Sequence, residues 1–324
     1  MTGHHVVVTG GMGFIGSSLV EALLEAGSTV TVIDDLSTGR AQNVAHVRHH
    51  PGYRELVADV RDAASREVLE GQADLIVHLA AAVGVRQTFE HPVETIDTNV
   101  ETTAAVLQAA RRHRTKVVLA STSEVYGKTS KFPSAEDDDI VLGPPSHLRW
   151  AYAASKVVDE LMALGCWKEF GVPVVICRLF NVAGARQSDH YVLPRFVRAA
   201  LAGQPLEIYG DGSQTRCFTH VDDTVSALLA LAACDAAVGQ IFNIGAQHEM
   251  TIGELAHRVL AAVGVAPAEA PGRCTYLDYH DVYGDDFDDF ARRMPDTSKL
   301  TAYTGWQPRH GLDRMIDDVI ASHR

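Results

Sequence analysis

His5-Val-Val-Val-Thr9-Gly10-Gly-Met-Gly13-Phe14-Ile15-Gly16 is the stretch that decides the fold. A short β-branched run enters a turn with glycines at 10, 13 and 16, and residues 17–26 then carry apolar side chains at helical spacing. The first glycine makes the tight turn. The second lets backbone approach a pyrophosphate, and the third lets the helix pack closely on the strand. The helix start, with Phe14 and Ile15 in its first turn, offers N–H groups and the positive end of the helix dipole to phosphates. Taken alone, Gly-x-x-Gly-x-x-Gly is equally a simple turn. Its place between strand and helix, with a second β-branched run at 29–33 ending in Asp34-Asp35, makes it a dinucleotide site. Asp34 is suited to accept both ribose hydroxyls, and its charge repels a 2′-phosphate. The expected cofactor is therefore NAD, with a turn or cap as the alternative role for Asp34.

The alternation continues outward from this unit. Strands are expected at 75–79, 116–121 and 172–179, and helices near 98–112 and 152–170. The runs 117–120 and 174–177 are apolar throughout, as in strands covered on both faces. The fold class is α/β, a doubly wound parallel sheet of Rossmann-like form, with a smaller C-terminal substrate-binding domain. Residues 1–180 are assigned to the cofactor domain, with a segment near 219–245 returning to it. Residues 181–218 and 246–324 are assigned to the substrate domain. There, helices are expected at 194–203, 219–233 and 251–263, strands at Leu206–Tyr209 and 241–245, and an acidic loop at 278–293.

Composition excludes several classes. The 324 residues carry 28 Lys and Arg against 41 Asp and Glu, a net charge of −13, with no basic block. Nucleic acid and anionic membrane are therefore not expected partners. No signal peptide is recognised near the ends and no run long enough to span a bilayer occurs. Cys166, Cys177, Cys217, Cys234 and Cys274 lack metal spacing, and the 16 His form no ligand set. A reducing cytoplasm and no metal are the expectations. An anionic substrate would need individual Arg residues placed locally.

Residues 117–127 end a buried strand in Ser121-Thr122-Ser123-Glu124-Val-Tyr126-Gly127, with hydroxyls and one carboxylate at its tip. Tyr152 and Lys156 follow one helical turn apart on one face. A free phenol titrates near 10 and is a poor base at neutral pH. An adjacent ammonium, with the positive nicotinamide ring, is expected to lower it, so that Tyr152 removes a sugar hydroxyl proton as carbon gives up hydride. Lys156 is also placed to hold the nicotinamide ribose. A Tyr and a Lys on an ordinary amphipathic helix is the plain alternative, outweighed by the glycine unit upstream.

These segments, with Leu79-Ala80-Ala, Arg178-x-Phe-Asn181 and Tyr209-Gly-Asp-Gly-Ser-Gln-Thr-Arg216, resemble the extended short-chain dehydrogenase/reductases acting on nucleotide sugars. The likeness covers nearly the whole chain. Dehydratases of that group typically carry Thr-Asp-Glu at the strand end, and 4-epimerases small or hydroxyl residues in place of the Glu. Thr122-Ser123-Glu124-Val-Tyr-Gly instead resembles the UDP-glucuronate decarboxylases, as do Arg149-Trp150-Ala-Tyr152 and Tyr283-Gly-x-x-Phe287-x-Asp289-x-x-x-Arg293-x-Pro295. Phe287 stands where that family has a Tyr.

The resemblance implies C4 oxidation of UDP-glucuronate, loss of CO₂ from the resulting β-keto acid, and UDP-xylose or UDP-4-keto-pentose as product. It implies roles for Tyr152, Lys156, Thr122, Ser123, Glu124 and Arg293 in catalysis. Glu124 is otherwise a carboxylate satisfied by its neighbours, and Arg293 otherwise a solvated or phosphate-binding charge. Leu79, Ala80, Asp35, Asp59 and Val60 join the cofactor site, Asp59 meeting the adenine amino group or serving as a turn residue. Arg216 is expected on the diphosphate or in a surface ion pair. Asn181 is expected on the diphosphate, on a sugar hydroxyl or as a turn cap. Tyr209 is expected near uracil or in the core, and Arg86 is expected to reach the substrate from a loop. A homodimer through the helices near 98–112 and 152–170 is implied too. A 4-epimerase or 4,6-dehydratase of the same fold, and a non-catalytic NAD(H)-binding regulator, are the alternatives.

Overall fold

The computed structural model describes residues 1–278 and 292–324. In chain order the first half runs β1 (His5–Thr9), α1 (Phe14–Glu25), β2 (Thr29–Asp34), β3 (Tyr53–Val57), α2 (Ala63–Leu69), β4 (Leu75–His78), α3 (Val85–Glu90), α4 (Pro92–Ala110), β5 (Lys116–Thr122), α5 (Ala151–Phe170) and β6 (Val174–Leu179). It continues with β7 (Val182–Ala183), α6 (Val192–Leu201), β8 (Leu206–Tyr209), β9 (Thr215–Cys217), β10 (Thr219–His220), α7 (Val221–Ala232), β11 (Gln240–Ile244), β12 (Glu249–Thr251), α8 (Ile252–Ala262) and β13 (Cys274–Leu277). After the undescribed stretch come α9 (Ser298–Thr304) and α10 (Leu312–Ser322).

Seven strands form one sheet in the order β11-β6-β5-β4-β1-β2-β3, every pair parallel. Successive side chains of a strand leave by opposite faces. Val6 and Val8 accordingly join the core formed with α1 and α7, while Val7 joins the core formed with α4 and α5. Both faces are dry, which is why these strands read as unbroken apolar runs. Each fully buried Val or Ile contributes about 1.5 to 3 kcal/mol of apolar burial. The order reverses between β1 and β4, so their following loops diverge and leave a crevice at the carboxyl ends of the strands.

A second core gathers α6, α8 and α10 around β8, with Phe196, Ile208, Leu255, Val259, Met315 and Val319 buried. Thr251 and Glu254 close a capping box at the start of α8. β9 and β12 pair antiparallel beside it, and β8 and β13 parallel. Residues 298–306 depart from the expected division of the chain. Leu300 and Trp306 join the core of the large sheet, and the Trp306 indole donates to the Asp223 carbonyl and to Ser226. The returning segment is partly strand: Thr219-His220 pairs with β7 before α7 begins.

Polar side chains lie directly beneath the crevice. The His78 ring is hydrogen-bonded to Thr9 at 2.7 Å and to Thr103 at 3.3 Å, and is 2% exposed. Burial, then the charge of Lys156, pushes its pKa down from 6.5 to about 3. The unfolded chain takes up this proton and the folded chain does not, so the stability His78 contributes is present above pH 6.5 and is lost as pH falls toward about 3. Replacing His78 with Asn is expected to flatten the acid limb of urea-denaturation stability by up to about 1.4 kcal/mol per pH unit across that window. Parallel limbs for the two proteins would show that His78 is charged in the fold.

Candidate active site

The crevice is built as the glycine turn requires. Gly10 has φ +70 and lies against the Ala80 backbone, where an added Cβ would come within 2.8 Å of nitrogen. At Gly16 a Cβ would meet the Gly10 carbonyl at 2.1 Å, so the first turn of α1, with Phe14 and Ile15, sits tight on the end of β1. The Leu79 N–H donates to the Thr9 carbonyl and the Ala80 N–H to the Thr9 hydroxyl, closing the crevice floor. The Asp34 carboxylate ends β2 at the rim. It accepts the Met12 N–H at 2.8 Å and the Leu36 N–H at 2.9 Å. Burial pushes its carboxyl up against those two bonds. Each oxygen keeps a lone pair for a ribose hydroxyl. This glycine cradle, helix start and strand-end acid fit a dinucleotide.

The neighbouring acids are engaged elsewhere. Asp35 closes a local turn on the Ser37 N–H and hydroxyl and is exposed. Both oxygens of Asp59 are taken by Arg61, which holds its carboxyl below the usual range, and Val60 is buried in the core. Arg86 lies in the first turn of α3, not on a loop, with its Nε on Glu90 at 2.7 Å.

β5 delivers the reactive tip. Ser121 is bonded to Glu160, which in turn grips Arg178 of β6 through two bonds of 2.9 and 2.7 Å. This bolts the strand end to α5 and β6. Thr122 caps the short turn that follows, its hydroxyl accepting the Glu124 N–H, and Ser123 is buried beside it. Tyr152 and Lys156 stand one turn apart on α5. Asn99 of α4 donates to Ser155 and to the Ala82 carbonyl and accepts the Ala82 N–H, so α4 ties α5 to the loop after β4. The sequence reading did not include Asn99.

The protein's own groups act on Tyr152 in the direction opposite to the one expected with Lys156 and the nicotinamide ring beside it. Burial, then the Glu124 charge, pushes the Tyr152 phenol well above its ordinary value, against a hydrogen bond with Thr122. Lys156 spends its ammonium on Asp159, 2.8 Å away and fully buried.

Glu124 lies between two guanidinium groups. Arg149, 2% exposed, donates to Oε2 at 3.1 Å, and Arg293 donates to Oε1 at 3.3 Å. Burial raises the Glu124 carboxyl; the charges of Arg149 and Arg293 and their hydrogen bonds outweigh it and hold the carboxyl below its usual range. Arg149 entered the sequence reading only as part of a likeness and emerges here as a principal partner. Phe287, with Tyr283 and Asp289, lies outside the described residues.

The remaining residues of the expected site lie on β8, on β9 and in the turn between β6 and β7. Asn181 holds a left-handed backbone with φ 36 between β6 and β7, its amide reaching the Cys217 carbonyl at 3.5 Å. Tyr209 ends β8 with the Arg195 guanidinium 4.1 Å from its ring centroid. Arg216 lies on β9, its Nη1 donating to the Thr215 carbonyl. Among the described residues no cluster of His, Cys, Asp or Glu is arranged to hold a metal, and no helix is long and apolar enough to cross a membrane.

Fold and site define an NAD-linked short-chain dehydrogenase/reductase. The model of the NAD dependent epimerase/dehydratase family matches residues 6–245, and the chain belongs to that family, with NAD as its cofactor. It is 38% identical over 97% of its length, and 96% of the relative's, to the UDP-N-acetyl-alpha-D-glucosaminuronate decarboxylase of Bacillus cytotoxicus. It is 36% identical to UDP-glucuronic acid decarboxylase 1 of Arabidopsis thaliana, covering 97% of this chain and 69% of that one. The UDP-glucuronic acid 4-epimerase of Bacillus cereus, solved with UDP-glucuronic acid and NAD, superposes with TM-score 0.85 at 26% identity over 98% of both chains.

Removing one partner of a buried ion pair costs far more than removing both. Arg149→Met leaves Glu124 with Arg293 alone and is expected to cost about 1 to 3 kcal/mol in urea denaturation, and the double change Arg149→Met/Glu124→Gln less than the sum of the two singles. A double variant as unstable as the sum of the singles would show that the pair is not coupled.

Proposed function

We propose that this chain decarboxylates a UDP-linked uronic acid, UDP-glucuronate first among them, through a 4-keto intermediate. The observation that carries this reading is the ionised Glu124 held by Arg149 and Arg293 at the strand end beside Tyr152. Arginines so placed suit a sugar that brings its own carboxylate. Similarity to the two uronate decarboxylases supports the same reading.

Bound NAD supplies the acceptor for the C4 hydride and, in its positive ring, a charge that draws the Tyr152 phenol down. Gly10, Gly13, Gly16 and the first turn of α1 hold its phosphates, Asp34 its adenosine ribose, and Lys156 its nicotinamide ribose. Tyr152 takes the C4 hydroxyl proton as the ketone forms. The C6 carboxylate is then β to a carbonyl, so the C5–C6 bond breaks, CO₂ leaves, and the electron pair moves to O4 as an enolate. Tyr152 and Thr122, with Ser123, donate hydrogen bonds to that oxygen. Arg293 aligns the departing carboxylate. Glu124, through water, manages the proton that C5 then receives. The product is UDP-xylose where the ketone is reduced again and UDP-4-keto-pentose where it leaves first. Arg216 and Asn181 hold the diphosphate and Tyr209 lies by the uracil.

Epimerisation of the same acidic sugar is the second reading, favoured by the likeness to the Bacillus cereus 4-epimerase. Incubation with NAD and UDP-glucuronate, followed by mass spectrometry and CO₂ capture, separates the readings. Loss of one CO₂ is expected. An unchanged mass with inverted C4 would establish the epimerase, and no turnover of any UDP-sugar would leave a binding role. Tyr152→Phe is expected to lower turnover by about 10² to 10⁴-fold with NAD still bound, and a near-normal rate would remove Tyr152 from the mechanism.

We also infer a homodimer through the outer faces of α4 and α5, which pack on each other and expose Val93, Ile96, Val158 and Leu161. Leu161, 64% exposed, lies on that face. Sedimentation equilibrium is expected to show a dimer that Leu161→Asp converts to monomer; a monomeric wild type would refute the pairing.

A further inference from the structure

Arg292 and Arg293 are adjacent and do different jobs. Successive side chains of an extended chain point to opposite sides. Arg293 reaches inward to Glu124 at 3.3 Å. Arg292 reaches outward and grips Glu249 of β12 with two bonds, Nε to Oε1 at 2.7 Å and Nη2 to Oε2 at 2.8 Å. Thr215 on β9 is bonded to the same carboxylate, and the Phe132 ring lies 5.1 Å from the Arg292 guanidinium. The hydrogen bonds from Arg292 and Thr215 outweigh the cost of burial and hold Glu249 below the ordinary carboxylate range, so it is ionised at neutral pH.

The chain just beyond is fixed by other means. Ser134 donates its N–H to the Met294 carbonyl and accepts the Asp296 N–H, both at 2.8 Å. Gln247 donates to the Pro295 carbonyl, and Asn243 to the Asp296 carbonyl. These bonds set where the backbone runs. They begin at Met294; at 292 and 293 the side-chain pairs with Glu249 and Glu124 hold the chain.

We propose that Glu249 is a positioning residue: by occupying Arg292 in a forked pair it aims Arg293 at Glu124 and at the carboxylate of the sugar. This rests on the decarboxylase reading. Without the pair, Arg292 is released beside the same site and competes with Arg293 for the two carboxylates. A neutral amide at 249 keeps the shape and one acceptor but loses the charge and the fork.

The test is steady-state decarboxylation of UDP-glucuronate by the NAD-loaded wild type, Glu249→Gln and Arg292→Lys, with UDP and NAD affinities measured by calorimetry. Lysine keeps the charge at 292 but cannot fork. Both variants are expected to lose about tenfold in kcat, or about 1.4 kcal/mol, while UDP and NAD bind within about twofold of wild type. The double variant Glu249→Gln/Arg292→Lys is expected to be no worse than either single, because both act through one pair. A wild-type rate in either variant overturns the proposal. So does an equal loss of UDP affinity, which would mean that β12 and β9 have been disrupted. Should Glu249→Gln fail to fold, Arg292→Lys alone decides. A wild type that releases no CO₂ sinks the decarboxylase reading and the proposal with it, whereas an active wild type with unaffected variants sinks the proposal alone.

Discussion

One carboxylate between two guanidinium groups governs this site. Glu124 is taken out of water just beyond the end of β5, where burial raises a carboxyl, and Arg149 and Arg293 outweigh that effect and hold it below its usual range. The two cations arrive from different directions. Arg149 is locked in the buried turn before α5, and Arg293 comes from the C-terminal part of the chain. The same charge acts on Tyr152, whose phenol is pushed up by burial and then by Glu124. The protein's own groups therefore oppose ionisation of that phenol.

The fold makes the arrangement possible by rigidity. The tip of β5 is bolted down by the Ser121–Glu160–Arg178 chain, and the Tyr126 hydroxyl donates to Asn243 on β11 at 2.7 Å. Asn243 also accepts no freedom of its own: its N–H donates to Glu136 and its amide to the Ser134 and Asp296 carbonyls. Strand ends, the segment around 134 and the segment around 296 thus form one polar platform on which Glu124 and Arg293 meet. Every member is buried or partly buried, where satisfied hydrogen bonds rigidify and a lost partner is expensive.

Much of this was legible in the sequence because local signals agreed. The glycine turn, the β-branched runs and the apolar strands at 117–120 and 174–177 all pointed to a doubly wound sheet, and β1, β8 and the return of β11 fell where periodicity put them. The last two helices were missed. In α10 the buried Met315, Ile316, Val319 and Ile320 carry the helical spacing that would have revealed it, among acidic neighbours that masked it. In the site, the glycine unit upstream and the likeness of the motifs, not residue type alone, singled out Tyr152, Lys156 and Glu124. Pairing was not legible. That Lys156 engages Asp159, that Asp59 engages Arg61 and that Arg149 engages Glu124 depend on which groups burial brings together over long separations.

The most direct measurement is calorimetric binding of UDP-glucuronate and UDP-glucose to NAD-loaded Tyr152→Phe protein, with and without Arg293→Met. The account predicts that the acidic sugar binds at least about tenfold more tightly, or about 1.4 kcal/mol, and that this preference disappears when Arg293 is replaced. Equal affinities for the two sugars, or a preference that survives the loss of Arg293, would contradict it.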